Sequence, residues 1–276
     1  MSILDDDALA ASLAERAGRL LLDLRARGGD PGALRKAGDL QSHEFLMGEL
    51  AKARPDDAVL SEEGIDDKAR LTAGRVWIVD PLDGTREFGE PGRNDWAVHV
   101  ALWARNAPAP PGQWPAHPAA PAGSGQLIAG AVALPAQNRV LATAATPPAG
   151  DSHLSTGDET GRQLRMVVSR SRASKLVKAV AALIDAELVP CGSAGAKVAT
   201  VITGENDVYL HSGGFYEWDT AAPVAVAAQR GFHVSRIDGA PVTYNREDPM
   251  LPDILVCRPA IAAELLNAIR EATHAI

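Results

Sequence analysis

WIVDPLDGTREF, residues 77–88, runs an apolar strand into two aspartates, a proline and a glycine. The segment Val76-Trp77-Ile78-Val79 is a compact apolar strand that ends in Asp80. Pro81 fixes its own φ and bends the chain. Asp80 and Asp83 can therefore converge across a tight turn, with the Leu82 carbonyl exposed between them. Two carboxylates and a carbonyl form an all-oxygen donor set, suited to Mg²⁺ rather than Zn²⁺. If a short helix opens at Gly84-Thr85-Arg86, its first N–H groups make a phosphate seat beside the metal. A bare Asp-x-x-Asp also reads as a helix-capping turn; the whole string is far more specific.

Two further acidic features lie in distant parts of the chain. Ser61-Glu62-Glu63-Gly64 follows the apolar run Ala58-Val59-Leu60, and Trp218-Asp219-Thr220-Ala221-Ala222 opens a helix. Alone, Glu62-Glu63 reads as a solvated surface pair and Asp219 as an N-cap. Together with Asp80 and Asp83 they give carboxylates at strand ends and a helix start, as a multi-metal phosphatase site requires. Other chemistries fit less well. The sequence has no H-E-x-x-H, C-x-x-C, Walker lysine loop or G-x-S-x-G elbow. Gly192 to Lys197 (GSAGAK) is Gly-rich but lacks the second glycine and final hydroxyl of a Walker loop. The seven histidines are scattered.

Around these motifs the chain divides into two patterns. Helices are expected over Ala8–Arg27, with Leu9, Leu13, Ala17, Leu20 and Leu24 as its stripe, and over Asp39–Lys52, with Asp39 as N-cap and Leu40, Met47 and Leu50 buried. Short strands at 58–60, 76–79, 97–103, 127–134 and 139–142 suggest an antiparallel meander. The Pro/Ala/Gly-rich stretch 106–126 reads as a long surface loop, with Trp114 inside it. A boundary is expected within 147–161, giving an N-terminal α+β lobe (1–155) and a C-terminal α/β lobe (156–276). In the second lobe strands at 165–169, 188–189, 207–210, 232–236 and 254–257 alternate with helices at 174–186, 194–203, 219–230 and 260–273.

The chain has 276 residues, 46% apolar and 22% charged, which fits a folded two-lobed protein and excludes disorder throughout. Lys and Arg total 27 against 35 Asp and Glu, a formal charge of −8. That balance offers no footprint for a nucleic-acid polymer or an anionic membrane. Two cysteines, Cys191 and Cys257, are too few for a disulfide framework and read as ordinary thiols. Met1–Asp7 lacks a signal-peptide pattern, and no run of 18 apolar residues occurs, so a cytoplasmic location is expected.

The strings SEEG (61–64), WIVDPLDGTREF (77–88) and WDTAA (218–222) resemble the metal-binding signatures of the lithium-sensitive, magnesium-dependent inositol monophosphatase superfamily. Gly84-Thr85-Arg86-Glu87-Phe88 and Val168-Ser169-Arg170-Ser171 are most similar to its bisphosphate nucleotidase, or CysQ-type, branch. The resemblance implies an α+β fold layered αβαβα, often dimeric. It implies Mg²⁺-dependent, Li⁺-sensitive hydrolysis of the 3′-phosphate of adenosine 3′,5′-bisphosphate, and of its sulfated form, with two or three Mg²⁺ per site. It assigns Glu62, Asp80 and the Leu82 carbonyl to one ion, and Asp80, Asp83 and Asp219 to a second. Glu62 would reach a third through water. Gly84 and Thr85 would hold the phosphate, and Glu62 and Thr85 would activate the attacking water for in-line displacement. Gly192 and Ser193 would face the nucleotide. The family's K-x-D-x-S-P-V-T-x-A-D loop is reduced here to Lys36-Ala37-Gly38-Asp39, so Asp39 matches its final aspartate and its role is left open.

Arg170, Lys197 and Arg258 are candidate cations for a second phosphate, with Arg86 behind them. Tyr209, His211 and Tyr216 are candidates for contact with the base. A broader sugar-phosphate phosphatase is the alternative function, and a non-catalytic phosphate sensor a third.

Overall fold

The computed structural model describes residues 5–107, 125–143, 162–171 and 173–275. Most of the expected surface loop, with Trp114, and the expected lobe boundary lie outside them. Helix α1 (Asp6–Ala26) is capped by Asp5, whose carboxylate accepts from Ala8 N at 2.7 Å. Its buried stripe uses Leu21 where Leu20 was expected. Helix α2 spans Pro31–Ala53. It begins well before the expected start at Asp39, because Asp30 caps Ala33 N and Pro31 occupies the first turn. The shortened Lys36–Asp39 segment is therefore continuous helix. Leu40 faces outward, 55% exposed, and Leu50 is buried.

Strands β1 (Ala58–Ser61), β2 (Arg75–Asp83), β3 (Ala97–Arg105), β4 (Gly125–Leu134) and β5 (Arg139–Ala142) form one sheet in sequence order. Helix α3 (Thr85–Phe88) is a single turn after β2. The expected meander is antiparallel from β2 to β5, but β1 pairs with β2 in parallel. The intervening segment, with a 3₁₀ turn at Lys68–Leu71, is long enough to return the chain to the same end of the sheet.

The second sheet holds β6 (Arg165–Ser169), β7 (Glu187–Cys191), β8 (Val208–Tyr216), β9 (His233–Ser235) and β10 (Met250–Cys257), in the order β7-β6-β8-β10-β9. Helices α4 (Lys175–Leu183), α5 (Ala194–Ile202), α6 (Glu217–Gln229) and α7 (Pro259–Ala275) complete the chain. Strand β8 runs past the expected end at Leu210. Its glycine-containing second half pairs with the start of β10, Tyr216 opposite Met250.

Side-chain alternation along β2 sets the layers. Trp77 and Val79 pack against α1 and α2, while Val76 and Ile78 join a core with α5 and α6. That inner core also takes Val167, Tyr209, Ile254 and Val256 from the second sheet. Met166, Val168, Leu210 and Leu255 face α4 and α7 on the far side. The order is helix, sheet, helix, sheet, helix: the expected αβαβα sandwich. Cys257 is buried, Cys191 is partly so, and both are free thiols. Among the described residues no helix is long and apolar enough to cross a membrane.

Candidate active site

Parallel pairing of β1 with β2 sets Ser61 opposite Val79, so the next residues, Glu62 and Asp80, emerge side by side. Glu62 N donates to Val79 O at 3.3 Å, and the two carboxyls are in hydrogen-bond contact. Asp80 turns back to accept from Leu82 N at 3.0 Å. Gly84 follows with φ 85°, a left-handed conformation. A Cβ there would also sit 3.0 Å from Ser193 Cβ, so the turn needs glycine. Thr85 Oγ1 lies 3.0 Å from Leu82 O and 3.1 Å from Asp39 Oδ1. Asp39 is thus a mid-helix residue facing the site rather than an N-cap.

Asp219 sits in the first turn of α6, where its carboxylate accepts from Tyr216 N at 2.6 Å. Tyr216, not Asp219, is the cap residue. Asp83 accepts from Gly195 N at 2.7 Å and lies 3.2 Å from His99 Nε2. His99 Nδ1 lies 3.0 Å from Trp218 O. His99 was not singled out in the sequence. The available signal was one imidazole in the otherwise apolar strand Ala97–Trp103, whose pairing sets it opposite Asp80.

Burial and mutual repulsion govern the charges. Asp80 is wholly buried, and burial together with Glu62, Asp83 and Asp219 raises its pKa well above the carboxylate range. Burial and Asp219 push Glu62 up to about 7; burial and Asp83 push Asp219 up to about 6. Burial also carries Asp39 to about 6. Burial pushes Asp83 the same way, but His99 and Lys197 outweigh it and the net shift is downward. The nearest cations are committed. Lys197 donates to the carbonyls of Gly192 and Ser193, the latter at 2.9 Å, and His99 is held between Asp83 and Trp218. An all-oxygen cluster left with excess buried negative charge fits a hard divalent cation. Asp80, Asp83 and His99 place ligand atoms within 4.8 Å of one another.

The cluster forms one wall of a cavity of about 550 Å³. Gly84, Thr85, Arg86, Arg170, Gly192, Ser193 and Lys197 line it, with Tyr209, His211 and Tyr216. Gly192 N and Ser193 N are pinned by Asp95, at 2.6 Å to its carboxylate and 3.0 Å to its carbonyl. Arg170 is paired with Glu87 (2.6 Å) and Glu90 (3.0 Å), and Arg86 with Glu90. Arg258 is not brought in: it pairs with Asp207, away from the cavity lining.

A family profile described as "Inositol monophosphatase family" matches residues 9–274. The chain belongs to the inositol monophosphatase family. Within that family it is 46% identical, over 97% of its own length and 94% of the relative's, to "3′-phosphoadenosine 5′-phosphate phosphatase" of Mycobacterium leprae (strain TN). It is 30% identical to "3′(2′),5′-bisphosphate nucleotidase CysQ" of Escherichia coli (strain K12), covering 78% of this chain and 81% of that protein. The solved fold of inositol monophosphatase II from Staphylococcus aureus MSSA476 superposes with a TM-score of 0.73 at 21% identity, over 97% and 96% of the two chains. The chain is a phosphatase, and the fold implied by the family resemblance is the one observed.

Proposed function

We propose that the protein is a Mg²⁺-dependent phosphatase that removes the 3′-phosphate of adenosine 3′,5′-bisphosphate, giving AMP and phosphate. The observation that carries it is the convergence of Glu62, Asp80, Asp83 and Asp219 on one wall of a cavity large enough for a nucleotide. The names of its 46%- and 30%-identical relatives supply the substrate.

Glu62, Asp80, Asp83, Asp219 and the Leu82 carbonyl would hold the cations, two or three per site. Bound Mg²⁺ supplies charge neutralisation on the phosphate and acidifies water. Gly84 N and the α3 start seat the phosphate between this cluster and the Ser193 end of α5. Thr85 commits its hydroxyl proton to the Asp39 carboxylate and turns a lone pair toward the attacking water; Glu62 takes that water's proton. Water oxygen bonds to phosphorus as the bond to the ribose 3′-oxygen breaks on the opposite side; that oxygen takes a proton from solvent water, and the proton held by Glu62 returns to solvent. Tyr209, His211 and Tyr216 face the nucleoside; Gly192 and Ser193, whose N–H groups are held by Asp95, border it. Arg170 and Lys197 add positive charge beside the second phosphate while remaining tied to their protein partners. The same residues would take Li⁺ in place of one divalent ion, with half its charge, so inhibition by Li⁺ is expected. A homodimer in the cytoplasm completes the reading.

Phosphate release with Mg²⁺ is compared for adenosine 3′,5′-bisphosphate, inositol 1-phosphate and fructose 1,6-bisphosphate, with and without Li⁺. A kcat/KM for the nucleotide at least about a hundredfold above the others, roughly 2.7 kcal/mol of discrimination, is expected. Comparable values would place the chain among broad sugar-phosphate phosphatases. No metal-dependent release from any of them would defeat the enzyme reading.

A further inference from the structure

The ring of His99 is fully buried in β3, and both of its nitrogens point at ligand-bearing segments. Nε2 is 3.2 Å from Asp83 Oδ2, at the end of β2; Nδ1 is 3.0 Å from the carbonyl of Trp218, the residue before Asp219. We propose that His99 is a positioning residue, a strut that fixes the spacing of Asp83 and Asp219 so that the two carboxylates can share one divalent cation. This rests on the reading that Asp83 and Asp219 are ligands of the same ion.

The surroundings are built to hold that strut. Asp83 Oδ2 also accepts from Gly195 N at 2.7 Å, so one carboxylate oxygen is held from two directions and the other is left for a cation. Gly195 has to be glycine for the ring to be there: a Cβ would lie 2.0 Å from His99 Nε2. On either side along the strand are Val98 and Val100, both fully buried. Nδ1 is hydrogen-bonded, whereas Nε2 makes no hydrogen bond and has the 3.2 Å approach to Asp83 as its compensating polar contact; a buried ring nitrogen with no such contact is costly. A partner that orients a metal ligand is typically worth about ten- to a hundredfold in metal affinity.

The test divides the strut at its two ends. His99→Asn keeps a donor near Nδ1, for Trp218 O, and loses the reach to Asp83. His99→Gln keeps a donor near Nε2 and loses the Trp218 end. Mg²⁺ affinity is measured by calorimetry on purified wild type and both variants, beside thermal melts in chelator and KM for the nucleotide at saturating Mg²⁺. Both variants are expected to bind Mg²⁺ about ten- to a hundredfold more weakly, with KM changed by less than about twofold. Wild-type affinity in either variant overturns the strut. Weakening that merely follows a lowered metal-free Tm overturns it too. If neither variant folds, a crystal structure of the unmodified chain with Mn²⁺ decides: one ion between Asp83 and Asp219, with the His99 ring nitrogens within about 3.5 Å of Asp83 and of the Trp218 carbonyl, is expected, and a ring turned away from either end overturns the proposal. Absence of Mg²⁺ binding to wild type would instead overturn the shared-cation reading beneath it.

Discussion

Asp83 and Asp219 occupy unlike electrostatic settings in one site. Asp83 is held charged by His99 and Lys197, whereas Asp219 is pushed up to about 6 by burial and by Asp83. Asp83→Asn keeps the shape but removes the charge a cation needs. Its kcat should fall by at least on the order of 10³, the equivalent of about 4 kcal/mol of transition-state stabilisation. A soluble variant with near-wild-type kcat would remove Asp83 from the site. Glu62 and Asp219 also set a pH signature for the metal-free protein. Their folded pKa values, about 7 and about 6, lie above their ordinary carboxylate values. The folded state therefore holds protons that the unfolded chain releases. The stability these groups contribute is complete below about pH 4 and is lost as pH rises through about 6 to 7. In chelator, Tm should fall between about pH 5 and pH 8; with Mg²⁺ the fall should shrink, because the ligands bind as anions. Equal slopes in both conditions would mean that the carboxylates do not share an ion. At this scale the convergence of Glu62, Asp80, Asp83 and Asp219 on one cavity was legible, because each lies in a short string whose chemistry is local. His99 was not, because its role depends on a neighbour from α6 that no local spacing reveals.

Secondary-structure elements bring these residues together through close approach. Helix α5 reaches the site by its first turn, where Gly195 N meets Asp83 and the Gly195 Cα abuts His99. Gly195→Ala should force α5 away from β3, costing about 1–3 kcal/mol and most of the activity. Denaturant melts and phosphate release measure the two effects, and an active variant of unchanged stability would show that α5 tolerates displacement. Strand positions along β2 and β3 followed from their apolar runs. The start of α2 did not, because Asp39 was read as its cap, although Asp30 followed by Pro31 is itself a local start signal. The parallel partner of β2 was also hidden, since the turn at 62–74 resembles a hairpin loop until its length is matched to a crossover. The second half of β8 was missed because His211 to Gly214 carries no apolar alternation.

Across the whole molecule, α5 and α6 lie between the sheets, and their side chains join a core that draws on both. The two expected lobes therefore share their main apolar layer, although the sequence pattern changes between them. Calorimetry should give one unfolding transition with equal van't Hoff and calorimetric enthalpies; two separated transitions would show independent lobes. The layered architecture was legible from the strand-helix alternation, whereas the shared middle layer was not, because the faces of α5 and α6 are apolar nearly all round. The parallel β1–β2 register also governs the order of assembly. Glu62 reaches Asp80 only once the β1–β2 crossover has closed, and Asp219 only once α6 has packed on β2, β3 and β4. These long-range contacts bring like charges together, so a dissolved divalent ion should speed the refolding step that forms them rather than the early collapse.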